Sequence, residues 1–428
     1  MTRRSCLVID HGLFTAFAER LAEDFDVKYF VPFSDRAFPL LGPALVGTGM
    51  RGVERVNSWE MYKDEVDFIV FPDVGFMNLA ELLKSEGKKV WAAGFGEKLE
   101  IQRWRAKETM KELGLPVGKC ALVTGMDELR DYIRNNDDVY VKISGFRGLA
   151  ETFEAKSYDI VKPRLDQLEV DLGCAASIMS FVVEHRVDSV VEAGYDGYCI
   201  NGKFPSSCLT GVEVKDRGYL GAVREYDDLS EPVKVVNEKL SPFLEESGYC
   251  QFFSTEIRVT DEGTPYLIDL TTRCPAPPSA LLWEMVENIG EIVEAGANGE
   301  LVDPVWRAKY GALAIISSDF AAEKNCPVEC DESVRQWIKW RNYANIEGQG
   351  WIINHQGINM PEIGDCIGIG DTVEEAIEAC KEHAEKVGGL NVKVHIDAVT
   401  EALDEIHNAE DNNIIFSDDE MPEQKDLL

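Results

Sequence analysis

Two acidic residues in the segment 252–273 are spaced so that they could bind a metal ion. The segment contains two strand-like runs, FFSTEIRV and PYLIDLTTR, joined by a tight turn at residues 261–264. If the hairpin is centred on that turn, Glu256 lies directly opposite Asp269. Two carboxylates opposed on a sheet repel each other unless a cation lies between them. Magnesium suits such a pair, because it takes one or two carboxylates and completes its shell with phosphate oxygens and water.

The faces of the two strands supply further charged groups. Side chains alternate between the faces of a strand. We therefore expect one face of the first strand to carry Phe252, Ser254, Glu256 and Arg258. We expect one face of the second strand to carry Leu267, Asp269, Thr271 and Arg273. The arginines could then hold anions through bidentate contacts. The alternative is a solvent-facing hairpin with ordinary charges. The segment CPAPP, which follows the second strand, is unusual after a surface hairpin and argues against this alternative.

A second candidate group of cations precedes the hairpin. The run VYVKI (139–143) predicts a strand with Val139, Val141 and Ile143 on one face and Lys142 on the other. The turn SGFRG follows and includes Arg147. Backbone N–H groups of such a turn, together with these cations, could cradle phosphate oxygens. A solvated lysine is the alternative.

Composition indicates a globular protein with several domains. The chain has 428 residues, 45% of them hydrophobic, and a formal charge of −34 from 77 acidic and 43 basic residues. This charge argues against broad nucleic-acid binding, which needs basic residues to replace counterions. No apolar run is long enough to span a membrane, and the N-terminal apolar stretch is too short for a secretory signal. We therefore expect a cytoplasmic location.

Eleven cysteines without a secretory context predict reduced thiols. Cys326 and Cys330 have near-zinc spacing, but no second Cys/His pair follows, so thiols are favoured over a metal site.

The N-terminal third alternates strand-like and helix-like segments, which predicts a parallel sheet covered by helices. His11 follows the first strand, at a position that suits either a ligand contact or a structural histidine. The only GxGxxG, at Gly47, Gly49 and Gly52, does not follow a clear strand. It therefore predicts a flexible loop rather than a dinucleotide site, which makes a dehydrogenase the least favoured class.

The order of these features resembles the ATP-grasp superfamily, and most closely the glycinamide ribonucleotide synthetase (phosphoribosylamine–glycine ligase) group. The resemblance covers residues 88–289. It rests on RAKETMKELGLP (105–116), YVK (140–142), SGFRG (144–148), VVE (182–184), Glu256, and Asp269-x-Thr271-x-Arg273. A fainter likeness to the C-terminal domain of the same group lies in GDTVEEAIEAC (370–380).

The resemblance implies a role for each matching position. Lys107 and Lys142 match the lysines that contact ATP phosphates, and the loop from Gly145 to Gly148 matches the lid over them. Glu184 and the backbone from His185 to Val187 match the segment that reads adenine, and Glu192 matches an acid that holds ribose hydroxyls. Glu256 and Asp269 match the ligands of Mg²⁺ or Mn²⁺. Arg273 matches the arginine that steadies an acyl phosphate.

This sequence departs from the family at two metal-site positions. Asp269 stands where Glu is usual, and Thr271 stands where Asn is usual. A shorter carboxylate and a weaker hydroxyl ligand leave a catalytically degenerate protein open as an alternative.

The expected architecture combines α/β and α+β parts. We predict an N-terminal parallel-sheet (pre-ATP-grasp) domain at 1–104, a two-lobed ATP-grasp domain at 105–300, a small α+β domain at 301–408, and a mobile acidic tail at 409–428. In the third domain, Thr372 and Glu375 predict a capped helix that continues to about Val387.

The expected function is ATP-dependent ligation of a small-molecule carboxylate to an amine, with release of ADP and phosphate. In this mechanism Arg258, Arg273 and Arg147 would contact the reacting groups. The alternatives are a nucleotide-binding regulatory or scaffold protein without catalysis, and a phosphotransferase that stops at a phosphate ester. The sequence names neither substrate, and it is compatible with an oligomer.

Overall fold

The computed structural model describes residues 3–32, 43–144, 152–189, 191–354, 361–419 and 421–422. Within them the chain forms a parallel sheet at its N-terminus, followed by mainly antiparallel sheets packed against helices. This is the mixed α/β architecture that the sequence predicts. No helix in these ranges is long and apolar enough to cross a bilayer.

The N-terminal sheet is parallel throughout, in the order β3-β2-β1-β4-β5. Its elements are β1 (Ser5–Ile9), α1 (Thr15–Leu21), β2 (Asp26–Phe30), β3 (Val53–Arg55), β4 (Phe68–Val70), α2 (Met77–Ser85) and β5 (Val90–Trp91). Apolar residues of β1 are fully buried, as expected for a parallel strand covered on both faces. His11, directly after β1, stacks on Phe76 with ring centroids 4.3 Å apart.

A small antiparallel sheet follows, in the order β6-β9-β7-β8. Its elements, with the two helices that lead into it, are α3 (Lys98–Ile101), α4 (Arg103–Glu112), β6 (Cys120–Thr124), α5 (Met126–Arg134), β7 (Val139–Ile143), β8 (Thr152–Ala155), α6 (Tyr158–Leu172) and β9 (Ser180–His185). Val139, Val141 and Ile143 are fully buried in the core shared with α5 and α6. Lys142 therefore points from the opposite face, as predicted.

The largest sheet runs in the order β14-β13-β10-β11-β12-β15-β20-β17, with β22 also paired to β15. Its first part comprises β10 (Val191–Ile200), β11 (Ser207–Val214), β12 (Gly218–Glu225), α7 (Glu231–Glu246), β13 (Cys250–Val259), β14 (Pro265–Thr271), α8 (Pro278–Met285) and α9 (Ile289–Ala297). A turn at Asn201-Gly202 closes β10, with positive φ angles of 48° and 76°.

The C-terminal part completes this sheet and adds a smaller one in the order β18-β19-β16-β21. Its elements are β15 (Tyr310–Ser318), α10 (Asp319–Glu323), β16 (Cys326–Cys330), β17 (Ile338–Trp340), β18 (Tyr343–Ile346), β19 (Gln349–Ile352), β20 (Glu362–Gly370), α11 (Val373–Ala384), β21 (Val387–Gly389), β22 (Val392–Val394) and α12 (Asp397–Asp411). Because β15 pairs with β12, the sheet crosses the boundary placed at residue 300. Residues on both sides of that boundary thus belong to one sheet, and the domain limits stay a prediction.

Helix α11 begins as predicted but ends earlier. The Thr372 hydroxyl accepts the N–H of Glu375, and the Glu375 carboxylate accepts the N–H of Asp371. The helix stops at Ala384 rather than near Val387, because Val387 starts a strand that pairs with β16.

The C-terminal segment was expected to be a mobile tail, and its described part is packed instead. Phe416 and Met421 are buried in the main core. Asp418 forms an ion pair with Arg224 at 2.7 Å, and the carboxylate of Asp419 accepts from the hydroxyl of Tyr310 at 2.8 Å. Apolar side chains within the acidic segment explain why it docks rather than remaining solvated.

The GxGxxG segment is also not the flexible loop that we expected. The N–H of Gly47 donates to the carbonyl of Tyr343 at 2.9 Å, and the N–H of Asn345 donates back to the loop at 2.7 Å. Gly49 has a φ of +66°, and a Cβ there would lie 2.1 Å from the Asn345 carbonyl oxygen. These glycines let two backbones meet, so the segment joins the N-terminal sheet to the C-terminal part.

Candidate active site

The register of β13 and β14 confirms that Glu256 lies directly opposite Asp269. The register shifts immediately beyond this pair, where Ile257 aligns with Leu267. The prediction that Leu267 shares a face with Asp269 was therefore wrong, because the bulge at Ile268 turns Leu267 into the core. The turn is also displaced, since the N–H of Gly263 donates to the carbonyl of Thr260 at 2.9 Å.

The two carboxylates of this pair have opposite pKa shifts. Burial, together with the negative charges of Asp269 and Glu192, raises the pKa of Glu256 to about 8. Burial acts on Asp269 in the same direction, but the cations Lys142 and Arg103 outweigh it and hold its pKa below the usual range. Half of the Asp269 side-chain surface reaches solvent. The two carboxylates therefore differ in their surroundings, and a cation between them would relieve their mutual repulsion.

Lys142 connects the small sheet to this pair. Its ammonium donates to the Ile268 carbonyl at 2.5 Å, at the bulge of β14. It also lies 3.4 Å from a carboxylate oxygen of Glu184, whose other oxygen is 2.8 Å from the ammonium of Lys107. Burial lowers the pKa of Lys107, and Glu184 partly offsets that effect. Two buried ammonium groups thus share one carboxylate, which leaves positive charge for an anion.

The segment expected to read adenine is not a sheet edge. Strand β9 lies between β6 and β7, and the N–H groups of His185 and Arg186 donate to the carbonyls of Lys119 and Asp138. Both neighbouring strands pair with β9. Backbone recognition of a base would fall to Val187 and the residues after it.

Arg258 and Glu192 face each other on neighbouring strands and form an ion pair. The sequence assigned these residues separate roles, with Arg258 on the carboxylate substrate and Glu192 on the ribose. The pairing brings the two residues together, although only Nη2 of Arg258 contacts Glu192.

Arg273 lies just beyond the end of β14. Its Nε donates to Glu100 at 2.8 Å and its Nη1 donates to the carbonyl of Cys274 at 2.9 Å, while Asp73 is 3.9 Å from Nε. Thr271 is aligned with Ser254, two pairs along from Glu256 and Asp269. Its role as a metal ligand stays a prediction, as do the other assigned roles. Gly145, Arg147 and Gly148 lie outside the described residues.

Three charged residues in or beside the candidate site were not predicted from the sequence. Arg103 lies 3.6 Å from Asp269, and Glu100 contacts Arg273. Arg103 and Lys107 are four residues apart on α4 and so lie on one side of that helix, whereas Glu100 lies on α3, beyond the break at Gln102. That spacing was the available signal. Burial lowers the pKa of Lys215, at the β11–β12 turn, but the charges of Glu213 and Asp216, and more weakly those of the pair, raise it overall.

The donor set suits a magnesium or manganese ion held mainly by its nucleotide. Glu256 and Asp269 offer two carboxylates, and their mutual repulsion favours a cation between them. Within the described ranges no group of three or more His, Cys, Asp or Glu side chains is arranged to hold a metal. This includes the region of Cys326 and Cys330, which are free thiols.

The architecture has the arrangement that the resemblance to the ATP-grasp superfamily predicts. A parallel N-terminal sheet precedes two sheets that meet where Lys142 approaches the carboxylate pair. The resemblance predicted from the order of motifs is confirmed at the level of the fold.

Particular solved structures share this fold over nearly the whole chain. Phosphoribosylamine–glycine ligase from Thermotoga maritima is 17% identical, with 91% of this chain and 98% of that chain covered and a TM-score of 0.68. The biotin carboxylase domain of 2-oxoglutarate carboxylase from Hydrogenobacter thermophilus, solved with MgADP and bicarbonate, is 13% identical, with 97% and 99% covered and a TM-score of 0.64. N5-carboxyaminoimidazole ribonucleotide synthetase from Thermotoga maritima is 14% identical, with 91% and 99% covered and a TM-score of 0.56. The chain matches no protein-family model and no curated protein sequence.

Proposed function

We propose that this protein is an ATP-dependent ligase that joins a small-molecule carboxylate to an amine. The observation that carries the proposal is the Glu256–Asp269 pair, with Lys142 placed between this pair and Glu184. Such a pair suits Mg²⁺ or Mn²⁺, and the neighbouring lysines suit the phosphates that the ion would accompany. The named activities of the three structural relatives, which include an amine–glycine ligation and carboxylations, agree with this reaction class.

The reaction has two steps. A carboxylate oxygen attacks the γ-phosphorus of ATP, the bond to the β–γ bridging oxygen breaks, and ADP leaves. The amine nitrogen then attacks the acyl carbon, the bond to the phosphate oxygen breaks, and phosphate leaves while the nitrogen loses a proton. Activation is needed because oxide is a very poor leaving group, whereas phosphate is a good one.

The chain's own residues would bind and orient the reactants. Lys107 and Lys142 offset the phosphate charge, and Arg273 holds the acyl phosphate at the end of β14. Glu256 and Asp269 would hold the divalent cation, which supplies charge neutralisation at the transferring phosphoryl group when it is bound. Much of the rate enhancement in such a site comes from positioning and from charge stabilisation in a preorganised cleft.

A nucleotide-binding regulatory protein without catalysis is the second candidate. Two observations favour it: Asp269 and Thr271 depart from the family pattern, and Arg258 is already paired with Glu192. Nucleotide binding without ADP release across all substrates would select this candidate.

The test is carboxylate-dependent ADP release against pooled carboxylates and amines, followed by mass spectrometry of the product. A carboxylate labelled with ¹⁸O should transfer one labelled oxygen to phosphate, which a phosphotransferase forming a stable ester would not do. Lys142→Ala and Asp269→Asn should abolish the release while the protein stays folded. Lys63→Ala, which breaks an ion pair with Glu86 in the N-terminal part, is the control. Normal turnover in both site variants would refute the assignment.

A further inference from the structure

Glu100 holds two consecutive residues at the end of β14. One carboxylate oxygen accepts from Arg273 Nε at 2.8 Å, and the other accepts from the backbone N–H of Thr272 at 2.8 Å and from its hydroxyl at 3.1 Å. Thr272 is fully buried, and the Glu100 side chain is 10% exposed. Three donors therefore converge on one carboxylate shielded from water.

This arrangement fixes the direction of the Arg273 guanidinium. A guanidinium is planar, so a bond to Nε sets the plane in which its other N–H groups lie. A second bond, from Nη1 to the Cys274 carbonyl, restrains rotation further. Because Thr272 bonds to the same carboxylate, Glu100 is itself held by the backbone that carries Arg273.

Glu100 also belongs to a segment that contacts the carboxylate pair. Arg103, three residues later, lies 3.6 Å from Asp269, and Lys107 binds Glu184. The segment from Glu100 to Lys107 thus touches three charged residues of the candidate site. The position of this segment relative to β14 therefore influences the distance between Arg273, proposed for the acyl phosphate, and the carboxylates proposed for the cation.

We propose that Glu100 is a positioning residue that aims Arg273 at the site where the acyl phosphate forms. The inference rests on the proposed function, since it assigns Glu100 a part in that same reaction. Charged partners that orient a functional side chain in this way commonly matter for rate as much as for stability.

The variant that tests this is Glu100→Gln, which keeps the shape of the side chain but turns one acceptor into a donor. Its kcat for carboxylate-dependent ADP release should fall roughly tenfold to a hundredfold, while the KM for ATP stays unchanged. The matched control is Glu97→Gln, because Glu97 is a buried glutamate directly before α3 that accepts backbone N–H groups of Gly75 and Phe76. This control should keep the wild-type kcat.

A wild-type kcat in Glu100→Gln, or equal losses in Glu100→Gln and Glu97→Gln, would overturn the proposal. Thermal unfolding of Glu100→Gln, Arg273→Gln and the double variant tests the contact without any activity. Non-additive shifts of the unfolding midpoint support a direct contact between Glu100 and Arg273, and additive shifts overturn it. If the wild type releases no ADP while the shifts are non-additive, the proposed reaction fails and the assigned role in it falls too, although the contact stands.

Discussion

Replacing Glu184 with glutamine should lower the thermal unfolding midpoint of the protein without ligand. It should also increase the rise in that midpoint that MgADP produces. Glu184 lies 2.8 Å from the ammonium of Lys107 and 3.4 Å from that of Lys142. At an effective dielectric constant of about 20, each of these pairs corresponds to roughly 5–6 kcal/mol of Coulomb attraction. All three side chains are less than 15% exposed, so desolvation offsets much of this attraction.

Removing one partner of a buried ion pair typically lowers the free energy of unfolding by about 3–5 kcal/mol, because the remaining charge stays buried without compensation. In Glu184→Gln two ammonium groups lose their shared carboxylate. The midpoint of thermal unfolding without ligand should therefore fall clearly. The matched control is Glu54→Gln, because Glu54 forms an exposed pair with Lys28 at 2.8 Å. Such surface pairs contribute about 0–1 kcal/mol, so the control midpoint should hardly move.

Nucleotide phosphates carry the charge that the variant lacks. If Lys107 and Lys142 bind phosphates, MgADP should raise the unfolding midpoint more in Glu184→Gln than in the wild type, because its cations have no competing carboxylate. The assay is thermal unfolding with and without saturating MgADP. An unchanged midpoint without ligand would refute the electrostatic argument. A smaller rise with MgADP would refute the phosphate role, and would favour a direct contact of Glu184 with the nucleotide.

Three further predictions concern the rest of the fold. Burial, followed by the charge of Asp73, raises the pKa of Asp10 to about 7, so stability from this carboxyl is lost as pH rises through that value. Asp10→Asn should then unfold at a higher midpoint than wild type at pH 8 but not at pH 5, and an equal difference at both would contradict the shift. Gly49→Ala should lower the unfolding free energy by at least about 1 kcal/mol, through its positive φ and the clash with Asn345, as measured by denaturant titration. Phe416→Ala should lower it by roughly 3–5 kcal/mol in the same titration if the C-terminal segment is packed, whereas a neutral change would indicate a detached tail.

The features that depend on local periodicity could be predicted from the sequence. The face of Lys142 followed from the alternation in VYVKI. The pairing of Glu256 with Asp269 was predicted correctly because the displacement of the turn and the bulge at Ile268 shift the register in opposite directions and cancel. Each of these inferences uses residues close together in the chain, so tertiary contacts had little opportunity to override them.

The bulge at Ile268 could not be predicted, because nothing in YLIDL marks which residue is left unpaired. It arises where the apolar Leu267 must enter the core while Asp269 must stay in the cleft. A strict alternation cannot satisfy both in this register, and one extra residue reverses the faces. The bulge also exposes the Ile268 carbonyl to Lys142, so the irregularity and the site have the same origin.

The charge partners were the least predictable part of the site, because they join residues far apart in sequence. Glu184 was expected to belong to the adenine segment, yet it binds lysines 77 and 42 residues before it. The opposite pKa shifts of Glu256 and Asp269 likewise depend on Lys142 and Arg103 from other elements. Since Lys142 contacts both the Glu184 carboxylate and the bulge beside Asp269, anything that draws its ammonium toward a phosphate must alter both carboxylate groups. Nucleotide binding and the protonation of the carboxylate pair are therefore expected to be coupled through this one side chain.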